Sequence, residues 1–91
     1  ANFHGYDVDG LKRRFEDMEA ESRRLLAMTG PQGQALVLPA YDQVLKASHL
    51  FNLMDARGAI AVAERQSYIG RIRDLCKACA LAQVESERAS A

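Results

Sequence analysis

Proline is scarce and crowded: the only two, Pro31 and Pro39, fall inside residues 30–39. Everywhere else the backbone keeps its N–H groups, so long uninterrupted helices are permitted. Charge of one sign is also lacking. The formal net charge is zero, which removes bulk electrostatic attraction as a reason to bind nucleic acid. No apolar run approaches the roughly 20 residues needed to span a bilayer. Two cysteines and no secretory hydrophobic segment point to a reducing cytosol and a cytoplasmic chain. The only β-like run, Leu36-Val37-Leu38, is too short to stand alone. The chain opens at Ala1-Asn2 without an initiator Met, so a piece of something longer is expected.

What is present is apolar patterning of helical period. The 91 residues bound the chain to one small domain, which buries only about 60–65% of the surface its unfolded form exposes. Residues of the AVILMFWYC set make up 48%, too many for a disordered segment. Val8, Leu11, Phe15, Met18, Ser22 and Leu25 recur at three- and four-residue steps, one helical stripe with Ser22 its only polar member. Asp7 or Asp9 is placed to cap its start, and Gly30-Pro31 to end it. Residues 30–37 read as a loop. Pro39 then suits the first position of a second helix, dense in apolar residues on more than one face, which predicts a central or covered helix. Gly58 allows a left-handed turn after Asp55-Ala56-Arg57.

In the third helix Ile69, Ile72, Cys76, Cys79 and Gln83 form one stripe and Tyr68, Leu75 and Ala82 a second beside it. Gly70 inside it costs about 1 kcal/mol relative to Ala and predicts a close helix crossing. Residues 85–91 are expected to fray. The fold expected is all-α, a small antiparallel three-helix bundle with helices at about 8–28, 39–55 and 61–85.

Chemistry is thin. Cys76-Lys77-Ala78-Cys79 matches C-x-x-C, but a redox motif opens a helix and this one lies deep within one. Zinc needs two further ligands, and the only histidines are His4 and His49. Core packing is the preferred reading. His49 is read by default as a buried histidine satisfied by a neighbour. Ser48 beside it points about 100° away, so the two cannot form a nucleophile–base pair.

His49, Asn52 and Asp55 follow one line at three-residue steps, with Arg57 next to it. Structurally, Asp55 would cap the next turn and Arg57 would pair locally. Functionally, the group would contact another domain, subunit or RNA. From Arg57 to Lys77 five bases (Arg57, Arg65, Arg71, Arg73, Lys77) face two acids (Glu64, Asp74), either a solvated face or a hint of an anionic partner. No phosphate loop and no carboxylate pair with its own cleft is present, and no catalytic, cofactor-binding or metal residue is assigned.

Residues 38–73, from Leu38-Pro39-Ala40-Tyr41 through Phe51-Asn52-Leu53, Asp55-Ala56-Arg57 and Glu64-Arg65-Gln66 to Tyr68-Ile69, Arg71 and Arg73, closely resemble the C-terminal helical region of the α subunit of bacterial two-subunit glycyl-tRNA synthetase. Leu45, Lys46, His49, Ala59, Ile60 and Val62 also fit that pattern. Asn2-Phe3, Asp7-Val8-Asp9 and the stretch 19–26 fit it more loosely. Ala61 stands where the family usually has Ser and Ala63 where it has Thr. The family's Ser-x-x-Glu would be a capping box with Glu64, and Ala61 cannot supply the oxygen. Cys79 stands where relatives tend to carry a small apolar residue, which favours packing over a metal site.

The resemblance implies a part of a ligase. The family's catalytic domain activates glycine with ATP and Mg²⁺, its signature motifs lie upstream of this region, and the enzyme is an α₂β₂ assembly. The expectation is therefore a domain without its own active site that packs on the catalytic domain and contacts the β subunit. His49, Asn52, Asp55, Arg57, Arg65, Arg71 and Arg73 are the candidate subunit or tRNA contacts. The alternatives are tRNA-phosphate contact through Arg65, Arg71 and Arg73, and a generic helical dimerisation module in which the isolated piece self-associates.

Overall fold

The computed structural model describes residues 8–28 and 36–90, with backbone alone at 89 and 90. They form three α-helices, α1 Val8–Ala27, α2 Val37–Ala56 and α3 Val62–Ser90, and no strand occurs among the described residues. The fold is a small all-α three-helix bundle. Contacts set the directions. Ser22 of α1 meets Ala40 of α2 while Phe15 shares a cluster with Ala47, Phe51 and Met54, so α1 and α2 run antiparallel. Phe51 and Asp55 of α2 meet Tyr68 and Arg65 of α3, so α3 reverses again and lies parallel to α1.

The bundle is long and thin, 53 × 21 × 14 Å with a radius of gyration of 15.3 Å, against about 12 Å for a compact chain of this length. No helix is surrounded, and each keeps an outward face. No helix of the described residues is long and apolar enough to cross a membrane.

Two apolar clusters share the interior. The first gathers Phe15, Ala47, Leu50, Phe51, Met54, Ile60 and Tyr68 near the α2–α3 turn. The second gathers Ala40, Val44, Leu75 and Cys79 toward the other end. Ile72 packs against both and so joins them into one core. Full burial of side chains such as Phe15, Met54 and Leu75 stabilises the fold by roughly 1.5–3 kcal/mol each.

Ser22, the polar member of the α1 stripe, is fully buried and donates its hydroxyl to the carbonyl of Ala40 at 2.9 Å. A buried hydroxyl without a partner would be destabilising; this one ties α1 to the first turn of α2.

Local chemistry explains the helix ends. After Ala56, Gly58 adopts φ +69°. Its N–H donates to Asp55 O at 3.0 Å and that of Ala59 to Met54 O at 2.9 Å, a Schellman motif that satisfies the last carbonyls of α2. At the start of α3, the Ala61 N–H donates to Glu64 Oε1 at 3.3 Å. This is the half of a capping box that the glutamate supplies; Ala61 leaves the other half unmade.

The structure corrects several expectations. α2 begins at Val37 rather than Pro39, and Pro39 takes its third position, still within the first turn where its missing N–H loses no helical bond. α3 is helical to Ser90, past the end expected near residue 85. Tyr68, Leu75 and Cys79 form the buried line of α3, whereas Cys76 and Gln83 are exposed, because the third helix packs on α2 and α1 with the face one step round from the stripe expected. An ideal Cβ on Gly70 would meet nothing within 4 Å, so no helix crosses closely there. The cap at Asp7, the stop at Gly30-Pro31 and His4 lie outside the described residues.

Two substitutions are expected to be stabilising. Gly70→Ala has open space for its methyl and gains helix propensity, about 0.5–1 kcal/mol. Ala61→Ser completes the capping box for about 1 kcal/mol. Urea unfolding followed by circular dichroism should place both midpoints above that of the parent chain.

Candidate docking surface

The residues with specific chemistry divide into an inward set and an outward set. The inward set lies between α1 and α3. Tyr68 and Phe15 pack at right angles, centroids 4.8 Å apart at 86°, a favoured aromatic geometry. Over both rings lies the Arg71 guanidinium, 4.9 Å from the Phe15 centroid and 5.2 Å from that of Tyr68, close enough for cation–π attraction. Its Nη2 donates to Glu19 Oε1 at 2.6 Å and its Nε to Oε2 at 3.1 Å. One turn-pair away, Lys12 Nζ lies 2.9 Å from Glu64 Oε2. Both pairs join residues 52 apart in sequence, so they hold α1 and α3 in one register.

These contacts set the ionisation. The hydrogen bond from Arg71 holds the Glu19 carboxyl below the usual glutamate range against the opposing effect of burial, and Arg71 is raised in turn. Lys12 lowers Glu64, helped by the Ala61 N–H. Burial pushes the Cys79 thiol up, with the Ser22 hydroxyl offsetting part of it. Cys79 is a core residue and Cys76 is exposed, so the two sulfurs of the C-x-x-C motif occupy different environments.

The outward set lies on α2. Its buried residues, Ala40, Val44, Ala47, Leu50, Phe51 and Met54, define one side. On the other side Leu38, Tyr41, Leu45, His49 and Asn52 follow three- and four-residue steps, and all are exposed. Leu38 is 81% exposed, Tyr41 43%, Leu45 42% and Leu53, at the flank, 38%. The apolar density on more than one face of this helix, legible in the sequence, is therefore split between the core and solvent. His49 is exposed, not buried, because it sits opposite Ala47 and Phe51 on the helix.

The other candidate contacts scatter. Asp55, half-buried, pairs with Arg65 at 3.3 Å across the turn to α3, rather than extending the exposed line of His49 and Asn52. Arg57 is the C-cap residue of α2 and its backbone N–H donates to Leu53 O at 3.2 Å. Arg73 is exposed. Arg71 is committed to Glu19 on the α1 side. A second open feature, a groove of about 310 Å³ lined by Leu26, Ala27, Leu81 and Ala82 with Arg23 and Glu85, lies where α3 runs past the end of α1.

The sequence matches the glycyl-tRNA synthetase alpha subunit family over residues 1–88. The chain belongs to this family. Its three helices are a helical region of a glycyl-tRNA synthetase α subunit. Sequence reasoning singled out His49 and Asn52 individually and the apolar excess of the second helix as a whole; that Leu38, Tyr41 and Leu45 are the exposed part of it depends on which side of the helix the neighbours cover.

The depressed carboxyls make stability pH-dependent. A group whose folded pKa lies below its unfolded value contributes stability above the unfolded value, about 4.3 for Glu, and loses it as pH falls through the folded one. Urea midpoints for this α-subunit domain are therefore expected to fall between neutral pH and about pH 3, and the fall should shrink in Glu19→Gln. Arg71→Lys, which loses the two-point fork and the ring stacking, is expected to cost about 1–2 kcal/mol at neutral pH.

Proposed function

We propose that this chain is the helical C-terminal domain of a glycine–tRNA ligase α subunit. It supports ATP-dependent glycylation of tRNA by packing on the catalytic domain of the same subunit and contacting the β subunit. The activity is that of a class II aminoacyl-tRNA synthetase in a bacterial cytoplasm, with ATP and Mg²⁺ used by the catalytic domain. The contribution of these helices is to position and to assemble. The observation that carries the reading is the apolar face of α2 left open to solvent among the described residues. A large open apolar patch is a common mark of a protein–protein contact.

A tRNA-phosphate role for Arg65, Arg71 and Arg73 has less support. Arg71 is held by Glu19 and Arg65 by Asp55, which leaves Arg73 of the three. Phosphate contact would also make affinity fall steeply with salt.

Calorimetric titration of the chain into purified β subunit, at low and at high salt, tests the reading. Saturable binding with weak salt dependence is the expected result. No binding at high concentration sinks subunit contact, and a steep salt dependence transfers the weight to phosphate contact. Self-association of the free chain without β binding favours a dimerisation module.

A further inference from the structure

We infer that Cys76 and Cys79 form a thiol switch: a low-molecular-weight disulfide oxidises the pair to a bridge within α3, and closing that bridge draws Cys79 out of the core and loosens this end of the bundle. The inference is independent of the subunit-contact reading. The pair is not placed for disulfide-exchange catalysis, which uses a helix N-terminus. Its use here is to couple oxidation to packing.

Residues three apart on an α-helix have Cα atoms about 5 Å apart and side chains about 60° apart around the axis. That Cα separation lies within the span of a disulfide. Their Cβ atoms stand about 5–6 Å apart, against about 4 Å in a relaxed disulfide, so the helix must yield locally. The 60° step also separates two environments. Cys79 is 3% exposed and packs in a cluster with Ala40, Val44 and Leu75, whereas Cys76 is exposed. Val44 and Leu75 fill the inner side, so the bridge closes on the outer side and Cys79 moves. It then leaves a cluster of four buried residues. It also leaves the Ser22 hydroxyl beside it, which fastens α1 to Ala40 of α2. One sulfur thus sits where all three helices meet.

Exposure makes Cys76 the first to react, because burial keeps the Cys79 thiol protonated and covered. The Cys76 thiolate attacks one sulfur of the oxidant RS–SR. A mixed disulfide, Cys76–S–SR, forms, and RS⁻ leaves and takes up the proton that Cys76 gave. Local opening of α3 then lets the Cys79 thiolate attack the Cys76 sulfur. The bond within the chain forms, the mixed disulfide breaks, and a second RSH leaves with the proton of Cys79. The dithiol loses two electrons and the reagent becomes two thiols. Arg73, one turn before Cys76, and Lys77, next to it, are exposed cations. Asp74 points about 160° away from Cys76. This setting suits an anionic disulfide such as that of glutathione. A bridge that bends its helix is of the labile kind that reduced glutathione reopens.

The test treats the purified chain with glutathione disulfide and follows it by mass spectrometry and thermal unfolding. Trypsin cuts after Lys77, between the two cysteines. In chains that run as monomers on a non-reducing gel, the bridge therefore shows as residues 74–77 linked to residues 78–88, parted by reduction. That linked pair is expected, with an unfolding midpoint lower by about 4–8 °C, the size of shift that a modest packing loss gives in a domain of this length. Reduced glutathione should restore the midpoint. Dilute urea should speed closure, since it raises the open fraction of α3. Cys76→Ser, a change at an exposed position, should unfold like the parent and show no shift with the oxidant. A glutathione adduct that persists on Cys76 while Cys79 stays free would overturn the switch, as would a bridge between two chains through Cys76. A linked pair with an unchanged midpoint would overturn the coupling to the core, and so would an equal shift in Cys76→Ser. A bridge that reduced glutathione leaves intact would overturn its reversal.

Discussion

The contact of Phe15 with Tyr68, roofed by Arg71 and closed by Glu19, holds the arrangement of the three helices. Phe15 comes from α1 and Tyr68 from α3, and Phe51 of α2 stands 6.0 Å from the same Tyr68 ring. All three helices thus converge on one aromatic site. Arg71 is suited to it in a way that lysine is not, since a planar guanidinium can stack on rings and fork to a carboxylate together. The Lys12–Glu64 pair repeats the same offset of 52 residues, so α3 cannot slide along α1 without breaking both. Surface ion pairs taken singly are worth little. Here their value lies in register, while burial of the rings supplies most of the stabilisation.

With α3 fixed on α1, the side of α2 that is buried follows. Ser22 bonding to Ala40 closes the second point of attachment, and the Schellman turn at Gly58 brings α3 back along α2 with few residues to spare. α2 is then gripped from one side only. Leu38, Tyr41, Leu45 and Leu53 are left facing water.

Local features were largely legible before the fold was known. The three apolar periodicities gave the three helices, Gly58 gave the left-handed turn, and Ser22 stood out as the polar member of an apolar stripe. Family membership was also carried by the residues from Leu38 to Arg73. Boundaries were read less well. Pro39 is tolerated anywhere in a first turn, so it did not mark the first residue. The end of α3 was misplaced because Glu87, Arg88 and Ala89 after Glu85 are themselves good helix formers.

The sequence by itself determined the helices, the turn between the second and third, and the family, because periodicity, capping and turn chemistry act within a few residues of the chain. Only the tertiary structure decided that Arg71 points inward to Glu19 while Arg73 remains exposed, that Cys79 is buried and Cys76 is not, that Gly70 faces open space, and that His49 joins Leu38 and Leu45 on an outer face. Each of those outcomes depends on which side of a helix its neighbours cover. A helix apolar on two sides does not specify that within its own residues, and the choice is made by contacts between segments some fifty residues apart, such as Arg71 with Glu19.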